Sequence, residues 1–292
     1  MTFVTKNMAL DAHQHFWSLV RGDYPWLTPD TGCLYRDHLP ADLEPLLRAS
    51  GVRQTIVIQA APTDAETTFL LDLAAKFPWI AGVVGWTDLS ALDAPAAIQK
   101  IAANPKLVGL RPMLHIIEDD NWILGSSLPH ALEAMVDAGL CFDAVIRPRQ
   151  VRVIEALLHR HPDLRLVVDH AANPPVGENL RPWVSDMRRL AATTNAFCKL
   201  SGLMRRNSDY SVRSELRFVF DVLLDAFGPA RLMWGSDWPV LNLASSYEEW
   251  IGAARDLLSE LSHAEQNAVM RGTAVNFYLN SRPAANSRPR RT

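Results

Sequence analysis

Short apolar segments that end on polar or charged residues recur eight times along this chain, and that repetition restricts the folds open to it. In the second half they are GLCFDAVIR, PDLRLVVDH, TNAFCKLSG and GPARLMWGSD; in the first half, MALDAH, RQTIVIQA, IAGVVGW and KLVGLRP. They lack the steady apolar–polar alternation of a strand with one wet face, and so read as strands buried on both faces. Such strands belong to parallel sheets, whose connections cross over through helices. Helical patterns stand between them: ADLEPLLRAS, DAETTFLLDLAAKF, DAPAAIQKIAAN, ALEAMVDAG and QVRVIEALLHR, the last with Val151, Ile154 and Leu158 on one face. Asp64 and Asp93 stand where N-caps belong, and Gly51 and Gly139 where helices should stop. SYEEWIGAARDLLSEL and HAEQNAVMRGTAVNFYL complete the series. Eight strand–helix units predict an α/β fold, the (β/α)8 TIM barrel, as one domain over residues 1–280. A doubly wound open sheet is the alternative, weakened because no glycine-rich phosphate loop follows the first segment.

In such a barrel the active site forms at the C-terminal ends of the strands. The longer connections, 16–38, 112–127 and 171–180, all follow strands and fall on that face. The strand ends carry His13 and His15, Gln59, Trp86, Arg111 with His115 beyond, Arg147, Asp169–His170, Lys199 with Ser201, and Ser236–Asp237. Side chains alternate along a strand, so His13 and His15 share a face and Gln14 takes the other. Facing the barrel interior, two imidazoles suit one metal ion or one substrate oxygen; hydrogen bonds to neighbouring carbonyls are the structural alternative. Asp237 is placed to act as a base or to cap the turn before Pro239. Arg111, Arg147 and Lys199, with Gln59, Trp86 and His115, read as substrate contacts or as a solvated rim. His38, His130, His159, His161 and His263 fall in helices or helix starts and are expected on the surface.

Composition excludes several classes. A net charge of −3 argues against a nucleic-acid surface. The segment SRPAANSRPRRT, residues 281–292, holds four arginines and no acid, lacks apolar periodicity, and is expected to be a disordered tail. No apolar run approaches a membrane span, and MTFVTKNMALDAHQHFW has no secretory apolar core. Cys33, Cys141 and Cys198, odd in number and widely spaced, suggest a reducing cytoplasm. No base stands near them in sequence, so none reads as a nucleophile.

DAHQHFW, DYPWL, GVVGWTDL, VVDHAANP, CKLSGL and MWGSDWPV, in that order, resemble the amidohydrolase superfamily, in its amidohydrolase-2 branch of sugar-acid and dicarboxylate lactonases. The likeness runs from about residue 9 to residue 280. It implies a (β/α)8 barrel with His13, His15, His170 and Asp237 in the site, and a metal on His13, His15 and Asp237. Many superfamily members add a strand-4 lysine or glutamate, or a strand-5 histidine; here GLRPMLH and FDAVIRPRQ supply neither, unless His115 swings in. The resemblance thus implies one divalent metal, zinc before others, or none, and a small-molecule lactone as partner, with the oligomeric state open. The expected reaction is opening of a sugar-acid lactone by water that Asp237 activates, the histidines or a metal polarising the carbonyl. A metal-dependent decarboxylase of the same superfamily, or a hydrolase of a dicarboxylate lactone recognised by paired arginines, stands as the alternative.

Overall fold

The computed structural model describes residues 8–204 and 210–280, with residues 210–213 described in backbone only, and the expected tail at 281–292 lies outside the described residues. The eight apolar segments form eight parallel strands hydrogen-bonded in chain order. They are Ala9–Gln14 (β1), Val52–Ile58 (β2), Ile80–Gly85 (β3), Leu107–Leu110 (β4), Cys141–Ala144 (β5), Leu166–Val168 (β6), Phe197–Leu200 (β7) and Leu232–Trp234 (β8). The barrel closes just past the end of β8, where Asp237 N–H donates to His13 O at 2.8 Å and His15 N–H to Trp238 O at 2.7 Å.

Helices cross over between the strands: Pro40–Ser50 (α1), Asp64–Lys76 (α2), Ala94–Ala102 (α3), Pro129–Asp137 (α4), Val151–Arg160 (α5), Arg181–Thr193 (α6), Tyr210–Phe227 (α7) and Tyr247–Leu257 (α8). Their apolar faces and the outward faces of the strands make the main core, with Leu43, Leu70, Ile98, Met135, Ile154 and Leu190 all buried. Gly51 ends α1 with φ at 70°, where a side chain would be strained. The expected Asp64 cap is displaced by one residue: Asp64 is the first residue of α2, and the Thr63 hydroxyl accepts the Glu66 N–H at 3.0 Å. The expected final helix is broken as well. A short turn, His263–Asn267, passes into two wider π-type turns, Ala268–Gly272 and Val275–Leu279.

That last segment closes the barrel from the strands' N-terminal side. Phe277 and Tyr278 join Leu10, Ile56, Val108, Cys141 and Met233 in a separate inner cluster, and Cys141 Sγ reaches Phe277 O at 3.1 Å. Polar side chains are therefore pushed toward the opposite end. Among the described residues no helix is long and apolar enough to cross a membrane.

Candidate active site

The site is built on the seam between β1 and β8. Leu10 and Ala12 point into the barrel, so strict alternation would turn His13 outward. A register shift corrects this: Asp11 pairs with Thr55 but Gln14 with Val57, three steps on β1 against two on β2. This bulge carries His13 and His15 to the interior. Gly235 is needed opposite, since a Cβ there would meet the His13 Cβ at 2.6 Å. Asp11 stitches the seam, accepting from Ser236 N–H at 2.8 Å, His13 N–H at 3.1 Å and Tyr247 O–H at 2.9 Å. Burial outweighs those bonds and pushes its carboxyl up to about 6.

Three ligand-type atoms converge there. His13 Nε2 and His15 Nε2 stand 3.1 Å apart, and Asp237 Oδ1 lies 3.6 Å from the first and 3.4 Å from the second. A tetrahedral zinc with bonds of about 2.0–2.1 Å has ligand atoms roughly 3.3 Å from one another, so the separations fit such an ion. The chemistry fits too. His15 Nδ1 is 2.8 Å from Ile58 O, which fixes the proton on Nδ1 and leaves a lone pair on Nε2. Burial would push the Asp237 carboxyl up, but His170, His15 and His13 together hold it well below the carboxylate range. Burial and then the Lys199 charge hold His13 well below the ordinary histidine value. His15 is lowered chiefly by burial, with Asp237 opposing and Arg111 adding.

His170 completes the mouth from the end of β6, its Nε2 3.9 Å from Asp237 Oδ1. It opens a run of left-handed backbone, His170, Ala171, Ala172 and Asn173 all with φ between 50° and 59°. Non-glycine residues adopt that region at a cost of about 1–2 kcal/mol each. Trp183, which donates to Ala171 O at 2.8 Å, and Ser201, whose Oγ meets His170 Nδ1 at 2.9 Å, hold the turn in place. Among the described residues, Asp237 is the non-glycine position outside that run with positive φ, at 60°. Strain at these two residues is the kind that functional sites retain. Both border a cavity of about 400 Å³ lined also by Asn173, Gly202, Met204 and Leu241.

The other candidates from the strand ends separate into several settings. Lys199 is 0% exposed and paired with Asp143 Oδ2 at 2.5 Å and Asp169 Oδ1 at 3.0 Å, so it has no surface for a substrate. Arg111 is buried, paired with Asp169 Oδ2 at 3.3 Å and donating to Gln59 O. Gln59 returns a bond to Arg111 O at 2.8 Å. Trp86 is half-buried, with its N–H and carbonyl both on the Thr67 hydroxyl at 2.7 Å. His115 does not swing in to join His13, His15 and Asp237. Burial, then Arg111 and His170, lower it to about 4. Arg147 is exposed on the rim, its Nε donating to His115 O at 2.9 Å. His38, expected on the surface, is instead buried edge-on against Trp17 and Trp238.

Residues that sequence reasoning gave no role make a layer below the mouth. Asp143 accepts from Tyr278 O–H at 2.8 Å, and Asp169 Oδ1 lies 3.4 Å from His13 Nδ1. Burial alone would raise Asp169, but Lys199 and His13 hold it well below the carboxylate range. A signal was present: an aspartate inside the apolar run CFDAVI must find a partner when the strand is buried. The loop 16–38 is tied down similarly, Glu66 accepting from Tyr24 O–H at 2.5 Å and Ala60 N–H at 3.0 Å.

With this geometry in hand, comparison with known proteins assigns the class: the chain belongs to the amidohydrolase family, whose model matches residues 10–279. It is 41% identical over 94% of its length to a protein of Burkholderia ambifaria called L-fucono-1,5-lactonase, covering 97% of that protein. The crystal structure of an amidohydrolase from Burkholderia multivorans with bound zinc superimposes with a TM-score of 0.88 at 37% identity, over 94% of this chain and 100% of that one. A 5-carboxyvanillate decarboxylase from Sphingomonas paucimobilis, 16% identical with a TM-score of 0.64 over 94% of this chain and 99% of that one, shares the fold alone.

Proposed function

We propose that this protein hydrolyses a sugar-acid lactone, of the 1,5-lactone class that its Burkholderia ambifaria relative is named for. The observation that carries the reading is the meeting of His13, His15 and Asp237, with His170 beside them, at one strained and partly open mouth. A decarboxylase finds support only in neighbours that share the fold. The dicarboxylate alternative needs paired arginines, and Arg111 is engaged with Asp169 while Arg147 lies exposed on the rim. A cytoplasmic setting belongs to the same proposal.

His13, His15 and Asp237 would hold a divalent cation, zinc by the fit of their spacing. When bound, it supplies Lewis acidity toward a carbonyl oxygen and makes a neighbouring water more acidic. The chain's own groups do the rest. All three imidazole contacts to Asp237 fall on Oδ1, and Oδ2 is the oxygen we assign to proton transfer. It takes a proton from water as the water oxygen bonds to the lactone carbonyl carbon. The ring C–O bond then breaks, and Asp237 returns the proton to the departing ring oxygen. His170, fixed through Ser201, faces the same cavity and steadies the charge that develops on the carbonyl oxygen.

A hydrolysis screen of aldono-1,4- and 1,5-lactones, with and without chelator, tests this. The expected result is hydrolysis above background on at least one sugar-acid lactone, lost on chelation and restored by zinc. A folded, zinc-supplied protein that accelerates none of them overturns the reading.

A further inference from the structure

Beneath the three-atom cluster, the hydrogen bonds around His13 run in a direction that the proposed reaction does not explain. Lys199 Nζ lies 3.2 Å from His13 Nδ1. An ammonium group has only donors, so the hydrogen bond that this distance allows has Nδ1 accepting and the ring proton on Nε2. The next link agrees: His15 carries its proton on Nδ1 toward Ile58 O at 2.8 Å, so its Nε2 offers a lone pair. His13 Nε2–H and that lone pair, 3.1 Å apart, then form a hydrogen bond. The chain runs Lys199, His13, His15, Ile58 carbonyl, with every donor matched to an acceptor.

A metal ion cannot occupy His13 Nε2 in that tautomer, because the nitrogen is protonated. An acceptor for the other tautomer is nevertheless built in. Asp169 Oδ1 is buried, lies 3.4 Å from His13 Nδ1, and accepts no hydrogen bond although Lys199 Nζ is 3.0 Å away. We propose that Lys199 and Asp169 form a tautomer selector for His13. Lys199 holds the Nε2–H form when no metal is present, and Asp169 takes the Nδ1–H when Nε2 turns to a divalent cation. The change is a tautomerisation: one proton arrives at Nδ1, one leaves Nε2 for water, and the ring stays neutral. Lys199 then withdraws from Nδ1 and keeps its two carboxylates. The competition makes Lys199 a brake on metal binding and Asp169 its support. Both are positioning residues, and the inference rests on the metal reading of this site.

Long-range nitrogen-15 correlation spectra of the histidine rings in the full-length protein test it, with His13 assigned by its absence in His13→Asn. In metal-free protein His13 is expected protonated on Nε2, and after zinc chloride on Nδ1. Nδ1 protonation in the metal-free protein overturns the selector. Zinc affinity, measured by competition with a chromophoric chelator, gives a second readout. Lys199→Met is expected to bind zinc about tenfold more tightly, since a charged donor competing for Nδ1 is gone. Asp169→Asn is expected to bind it about 10–100-fold more weakly. A merely structural role would weaken both variants, so equal or weaker binding by Lys199→Met also overturns the proposal. Should that variant fail to fold, the wild-type spectra decide alone. Zinc binding with an unchanged His13 tautomer removes only the selector; absence of any zinc binding removes the metal reading and the selector with it.

Discussion

Two layers of ionisable side chains share this barrel, and they differ in how far they are shut off from solvent. In the upper layer His15, His170 and Asp237 keep side-chain exposures of 6%, 11% and 9%, and their atoms converge on one another. In the lower layer Lys199, Asp143 and Asp169 are 0% exposed and compensate one another's charge, with Tyr278 bonded to Asp143. A fully buried network whose charges balance contributes rigidity and specificity of fold; atoms that converge at an open mouth have capacity left for a ligand. The contrast says that the lower layer exists to hold the upper one. His13 belongs to both, with Nδ1 facing down and Nε2 facing up.

If the layers divide in this way, damage to each should read out differently. Asp237→Asn should lower kcat/KM on a lactone substrate by about 10²–10⁴ while leaving the far-ultraviolet circular dichroism native; a variant within a few-fold of wild type would break the assignment of the upper layer. Asp143→Ala should do the reverse first. It removes one of the two carboxylates that balance Lys199, takes the acceptor from Tyr278 O–H, and should cost about 3–5 kcal/mol of unfolding free energy in denaturant titration. Gly202→Ala strikes the upper layer through the backbone: at φ 62° its Cβ would meet His170 Nδ1 at 2.6 Å. The expected loss is about 1–2 kcal/mol of stability, with a fall in kcat as His170 is displaced.

The smallest effect concerns Glu66, a buried carboxylate whose compensation is incomplete. Burial outweighs Tyr24, Ala60 and Arg21, with Asp23 adding to the rise, and pushes its pKa up to about 7 from an ordinary 4.5. Between those values the folded protein holds a proton that the unfolded chain has released, so stability rises as pH falls through 7 toward 4.5 and is lost again as pH climbs. Thermal melts at pH 8 and pH 5 should show a gain on the order of 1 kcal/mol in wild type beyond that in Glu66→Gln. An equal gain in both would show that Glu66 is not the group responsible. Asp11, raised to about 6, moves in the same direction, which is why the comparison is made against the variant.

Much of the upper layer was legible before any coordinates. Histidine two residues from histidine at a strand end, and a carboxylate after the last apolar run, are local signals, and they meet as expected. The pairings of the lower layer were hidden because its members are far apart in sequence. Tyr278 reaches Asp143 across 135 positions, and Lys199 reaches His13 across 186. Lys199 at a strand end looked like a substrate cation, since nothing local reveals two carboxylates waiting inside.

By itself the sequence determined the eightfold alternation of strand and helix, and hence the barrel and the face on which polar strand ends gather. Those follow from periodicity, which each segment carries in its own residues. Only the tertiary structure decided which groups have capacity left. The bulge that turns His13 inward, the left-handed turn that aims His170 and the burial of Lys199 all depend on barrel closure. Closure brings together atoms from distant segments, and whether a polar atom is satisfied is a property of that meeting, not of any stretch of chain.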